Sequence, residues 1–283
     1  MIREPAVAGS FYPKQKENLI VMIEKCFNDQ QNGPQELPDR DNPPERKQNI
    51  FGLIIPHAGY IYSGPVAAHG FLQQYKDGKP DFFVIIGPNH RNIGPGISVF
   101  PEGKWRTPLG EAEIPGKIVK KIVKEAYFRE DTNAHMMEHS IEIQLPFLQY
   151  LYGADIPIVP ICLKDQSKDT SIRVGNVLNK VLKNYDYCLI ASTDLTHYES
   201  QSTAAQKDQL VIEMIKNLNA SGLHDVVMEN HISMCGPGVT ASVLTAALQT
   251  GIKEVDILKY ATSGDVTGDK GSVVAYLSAT LKR

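Results

Sequence analysis

The chain has 283 residues, 42% hydrophobic and 22% charged, a make-up that supports a sizeable core and excludes disorder, collagen and disulfide-stapled scaffolds. Its 29 Lys and Arg against 32 Asp and Glu leave a formal net charge of -3, so nothing global draws it to nucleic acid or an anionic membrane. No apolar run approaches the roughly 18 residues of a bilayer span, Met1-Ile2-Arg3-Glu4-Pro5 lacks the apolar stretch of a signal peptide, and the cysteines have no CxxC spacing, which together point to a cytoplasmic protein.

Leu19, Met22, Ile23 and Phe27 recur at helical spacing and predict an amphipathic helix over Lys14 to Asn28. The following stretch, about 30–49, holds four prolines and no apolar periodicity, and reads as a surface excursion from a single domain spanning 1–283. Phe51 to Pro56 is a β-rich run followed by His57-Ala58-Gly59-Tyr60 and a helix start at Ser63-Gly64-Pro65. Strand, loop and helix recur with Phe82 to Gly87 before Pro88-Asn89-His90, with Ile156 to Ile161 before Lys168 to Leu182, and with Tyr187 to Ala191 before Ser192-Thr193-Asp194. This alternation predicts an α/β fold whose largely parallel sheet carries helices on both faces. Ile97 to Phe100 and Gly110 to Ile114 flank Lys104 to Pro108, an antiparallel excursion bearing the only Trp. Val255 to Ala261 and Ser272 to Leu277 enclose a turn-rich linker, Ser263 to Asp269, so the sheet is expected to be mixed.

In an open α/β sheet, ligands bind where loops leave the carboxyl ends of the parallel strands. His57, His90, Asp194 and His197 each follow a predicted strand and belong at that edge. Two imidazoles from different loops begin a metal site, and Cys235 is the candidate third ligand. It precedes an apolar helix, Val239 to Leu248, whose dipole and N–H groups are expected to lower the thiol pKa. Asp194 fits equally well as a cap for a following helix, and Cys235 as a buried filler. His139 and Glu142, three apart, share a face if a helix has begun there; His139 is placed near the site without being a ligand. No GxGxxG, GxxxxGK[ST] or GxSxG pattern is present, so no nucleotide cofactor and no serine nucleophile are expected.

At these residues the sequence resembles the Memo family, whose prokaryotic members include the Memo-like protein of the AmmeMemoRadiSam system. The resemblance rests on Arg3 to Pro13, Pro56-His57-Ala58-Gly59-Tyr60, Gly87-Pro88-Asn89-His90, Glu138-His139-Ser140, Gln144 to Leu148, Ser192 to Tyr198 and Cys235-Gly236. It implies a three-layer α/β/α sandwich like that of the class III, LigB-type extradiol non-haem iron dioxygenases. In that comparison His57 and His90 take the positions of the metal-binding histidines, and Cys235 stands where the dioxygenases carry a glutamate ligand. His197 resembles their acid/base histidine, with Asp194 lining the pocket or supporting it. Tyr60, Asn89, His139 and Glu142 would surround the site. A His2Cys set is softer than a His2Glu set and favours copper or zinc while still admitting iron, which counts against ring cleavage. The resemblance also connects eukaryotic relatives with signalling, motility, phosphorylated receptor peptides and copper or iron handling, and prokaryotic ones with radical-SAM and AMMECR-type protein partners.

Three functions follow as expectations. The leading one is a cytosolic metalloprotein holding one transition metal ion, iron or copper or zinc, at His57, His90 and Cys235. The second adds turnover, as a non-haem Fe(II)-dependent oxidoreductase in which His197 moves a proton on a small phenolic or other substrate. The third is a module that binds a peptide or protein in the same cleft, with Trp105, Arg106 and Tyr60 near its rim.

Overall fold

The computed structural model describes residues 1–283. Its strands are β1 (Ile2–Arg3), β2 (Ile50–Ile55), β3 (Phe82–Pro88), β4 (Ile97–Val99), β5 (Gly103–Thr107), β6 (Gly110–Ile114), β7 (Phe128–Glu130), β8 (Ile158–Leu163), β9 (Tyr187–Ser192), β10 (His197–Glu199), β11 (Glu254–Thr262) and β12 (Val273–Lys282). Nine of them form the main sheet in the order β10-β12-β2-β9-β3-β8-β4-β7, with β11 also paired to β12. The centre, β2-β9-β3-β8, is parallel. Every residue of these four strands is buried, as expected of parallel strands covered on both faces, and this explains why they read as unbroken apolar runs. β12 and β4 join the centre antiparallel on either side, so the sheet is mixed.

Helices lie on both faces. Helix Tyr60–Lys76 packs over Ile55 and helix Pro237–Gln249 over Gly52, three residues apart on β2 and therefore on opposite sides of the sheet. Helix Lys16–Asn28 packs against the first, and helix Lys168–Leu182 against the second. The stretch between Asp29 and Asn49 carries no helix or strand and is mostly exposed; Arg46 ties its end to Asp77 and Asp186. No helix is long and apolar enough to cross a membrane.

Two expected elements settle differently. Ile97–Val99 does not join the Trp105 excursion but pairs with β8, because its fully buried residues belong on the main sheet. The excursion is the β5-β6 hairpin, completed by β1 in a separate three-stranded sheet. The loop after β9 leads into β10 and not directly into a helix; Ser200 caps the helix Gln201–Lys216, so Asp194 is free for another task.

Candidate metal centre

β2, β9 and β3 are consecutive in the sheet, so the loops leaving their carboxyl ends emerge side by side. They carry His57, Asp194 and His90. Cys235 comes from a fourth segment, the turn before helix Pro237–Gln249, where its N–H donates to the Asp194 carbonyl at 3.3 Å. The metal-binding atoms of His57, His90 and Cys235 lie within 4.8 Å of one another. They open onto a cavity of about 530 Å3 whose lining includes His57, His90, His139, Asp194, His197 and Cys235.

The hydrogen bonds around each imidazole decide which nitrogen it presents. Ser192 Oγ donates its single proton to the Ser140 carbonyl at 2.5 Å and accepts from Gln144 Nε2 at 2.9 Å. With its proton committed, the same oxygen must accept at its 3.0 Å contact with His57 Nδ1, so His57 carries its proton there and presents the Nε2 lone pair. Nε2 faces Cys235 Sγ at 3.3 Å. His90 Nδ1 lies 2.9 Å from Glu138 Oε1, which can only accept, so in the neutral ring Nδ1 carries the proton and Nε2 the lone pair. A carboxylate behind a ligating histidine is the usual device for orienting the ring and raising its basicity.

Glu138 is 1% exposed and fully employed: it also accepts the backbone N–H groups of His90, His139 and Ser140. Burial alone would raise its pKa, but the His90 hydrogen bond and the neighbouring imidazoles outweigh burial and hold it down to about 2. His139 stacks on His90 with ring centroids 4.6 Å apart, and its edge-on distance to His57 is 5.4 Å. Burial lowers the His139 pKa to about 4, so this third ring is neutral at pH 7. His57 is held well below its ordinary pKa by burial and then by His139 and His90. His90, Glu138 and His139 also form a group with metal-binding spacing, but Glu138 is already saturated by four N–H donors, so the set containing Cys235 fits an ion better.

Asp194, 4% exposed, accepts the His57 backbone N–H at 2.8 Å, and its own N–H donates to Cys235 Sγ at 3.1 Å. Burial pushes its carboxyl up to about 6. The expected lowering of the Cys235 thiol is reversed: burial and then the Asp194 charge raise it, and the N–H donors recover only part of the difference. A cation beside this thiol would favour its ionised form. His197 is held by the Ser233 and Leu195 carbonyls, both accepting from Nδ1, at 2.9 and 2.7 Å, so in the neutral ring Nε2 carries the lone pair. Two glycines permit the close approach of these loops. A Cβ at Gly236 would lie 2.7 Å from Thr193 Oγ1, and one at Gly87 would lie 2.4 Å from Ser140 Oγ.

A family model described as Memo-like protein matches residues 3–280. The chain belongs to the Memo family. It is 49% identical to a MEMO1 family protein of Thermotoga neapolitana, over 99% of this chain and 100% of that one. It is 43% identical to a MEMO1 family protein of Methanopyrus kandleri, over the full length of both. Among solved structures it is similar to an uncharacterized protein from Escherichia coli K12 with a TM-score of 0.55, at 15% identity over 81% of this chain and 99% of that one, a likeness of fold alone.

Several side chains expected around the site of this Memo family member lie elsewhere. Glu142 does not share a helical face with His139, because residues 142–144 form a 3-10 turn and the α-helix starts only at Leu145. Its carboxylate instead pairs with Arg3 and accepts from Ala6 N, Val7 N and Tyr12 Oη, securing the segment that puts Phe11 into the cleft wall. Tyr60 is 2% exposed, with its hydroxyl donating to the Ile143 carbonyl, so it is core and not rim. Asn89 turns back to the Ile93 carbonyl and braces its own loop. Trp105 is fully buried against Phe100 and His135, and Arg106 is paired with Glu111 and Glu4; neither lines the cleft. Glu138, Ser192 and Gln144, the residues that orient the two imidazoles, stand in the sequence only within the stretches that carry the family resemblance, with no role assigned to them. Their further signal is position, Glu138 immediately before His139 and Ser192 at the end of its strand.

Proposed function

We propose that the chain is a metalloprotein that holds one transition metal ion through His57 Nε2, His90 Nε2 and Cys235 Sγ. The observation that carries the reading is the tautomer arrangement. Both histidines spend Nδ1–H on fixed acceptors, and their remaining lone pairs converge with a thiol that burial alone would keep protonated. When bound, such an ion supplies Lewis acidity and, for iron or copper, one-electron redox chemistry. The protein's own residues provide the rest. Ser192 and Glu138 fix the two rings, the Asp194 N–H stabilises the sulfur as a thiolate, and His139 and Phe11 close one wall of the cleft.

A second reading, in which the site turns over a small molecule, is supported by His197. Its Nε2 lone pair faces no protein donor, and its side chain lines the same cleft, which suits a group that accepts or returns a proton. Four unpaired cysteines, three of them buried, support residence in a reducing compartment such as the cytoplasm.

The test is elemental analysis and metal titration of purified protein. About one equivalent of Zn, Cu or Fe per chain is expected, with His57→Ala and Cys235→Ala each losing it while remaining folded. Stoichiometric binding that survives both substitutions overturns the reading.

A further inference from the structure

Beyond Tyr198 the cleft continues into a second cavity of about 540 Å3; Ala58, Tyr198 and Val274 line both. Three elements supply its aromatic walls: Tyr62 from the first turn of helix Tyr60–Lys76, Tyr198 from β10 and Tyr276 from β12. The antiparallel pairing of β10 with β12, His197 opposite Val274, brings the last two together. Tyr276 is 1% exposed and forms the floor beside Ser263, whereas Tyr198 is 80% exposed. Tyr198 has φ +59°, a left-handed conformation that residues with a Cβ rarely adopt, and its ring is exposed at the junction of the two cavities. The remaining charged group is Asp269. One of its oxygens accepts the Gly271 N–H at 2.9 Å and the other is uncommitted. No Lys or Arg lines this cavity.

Two accessible tyrosine rings, Tyr62 and Tyr198, over the buried Tyr276, and one carboxylate, without a cation in the lining, attract positive charge and disfavour anions. We propose that this shelf is an amine-recognition subsite, binding the protonated amino group of a ligand that continues toward the His57, His90 and Cys235 cleft. The inference rests on the proposed metal centre only for what lies at the far end; the shelf itself contains none of the metal-binding side chains.

The experiment is calorimetric titration of the full chain, pretreated with chelator, using phenethylammonium as probe and phenylacetate as its anionic counterpart. Phenethylammonium is expected to bind with a Kd on the order of 1 mM, and phenylacetate about tenfold more weakly or not at all. Asp269→Asn and Tyr198→Ala should each weaken the amine by about fivefold or more without changing the thermal unfolding midpoint. Equal affinity for the two probes, no amine binding, or full affinity in Asp269→Asn overturns the proposal. Zinc titration of Asp269→Asn, expected to match the parent, keeps the two readings separable: loss of amine binding with zinc binding intact concerns the shelf alone.

Discussion

Replacing Glu138 by Gln tests whether the residue behind a ligand controls the ligand. The carboxylate now receives four N–H groups, one from the His90 ring and three from the backbone of His90, His139 and Ser140. A glutamine has one acceptor oxygen. If that oxygen keeps the three donors that meet Oε1, the new NH2 opposes the His90 backbone N–H 2.7 Å from the present Oε2. The loop must shift, and His90 loses the negative charge that makes its Nε2 a strong donor to a cation. Removal of such outer hydrogen bonds weakens metal binding by about 10- to 100-fold, or roughly 1.4–2.7 kcal/mol. Competition for Zn(II) against a chromophoric chelator at pH 7 reads this directly, with circular dichroism verifying that the variant is folded. A folded Glu138→Gln protein with zinc affinity within about twofold of the parent would refute the reasoning, since it would mean that His90 needs no orienting partner. The same carboxylate has a pH signature. Its folded pKa of about 2 lies below the ordinary value of 4.5, so its contribution to stability is fully present above about pH 4.5 and is lost as the pH falls toward 2.

Further outcomes follow from groups away from the ion. Burial and then the Arg3 charge keep His135 neutral down to about pH 3, so below pH 6.5 only the unfolded chain takes up its proton and stability falls across that window, by roughly 5 kcal/mol at its lower end. The ring nitrogens make no well-formed hydrogen bond, only an approach to the Ser98 backbone, so His135→Phe should keep the urea midpoint at pH 7 and lose distinctly less stability than the parent at pH 4; an unchanged pH profile counts against this account. Arg3→Met leaves the fully buried Glu142 carboxylate without its cation and should cost about 3–5 kcal/mol, measured by chemical unfolding; a loss below about 1 kcal/mol would show that the backbone N–H donors suffice. Gly236→Ala drives a methyl group against Thr193 and should separate Cys235 from His57, weakening zinc binding by about tenfold while helix content is retained; unaltered zinc affinity would mean that the turn can yield without moving the sulfur.

The parts of the site that were legible from residues are those tied to topology. His57, His90 and Asp194 could be placed because they follow unmistakably apolar runs, and strands that alternate with helices put their carboxyl ends on one edge. Cys235 was legible through its position before a helix, though the sign of its pKa shift was not, because burial depends on neighbours contributed by Asp194 and Thr193 from a distant loop. His139 and Glu142 show the limit of periodicity. Three-residue spacing implies a shared face only inside a helix, and here the regular helix begins after both. Trp105 and Tyr60 were misplaced for a related reason. Aromatic residues in loops suit a rim equally well as a core, and only packing against Phe100, His135 and Phe147 decides between them. Glu138 stood out only as part of the Glu138-His139-Ser140 stretch of the resemblance; its role was not legible, since its four donors come from two segments 48 residues apart.

The buried Arg3 makes the first dozen residues more than a tail. β1 adds to the small sheet, Glu142 grips the backbone at Ala6 and Val7, and Phe11 then stands 4.9 Å from the His139 ring. Trimming the chain past Arg3 would therefore unseat Phe11 from the wall of the cleft, although Arg3 itself touches no ligand. A chain lacking Arg3 would bind ions differently for purely architectural reasons.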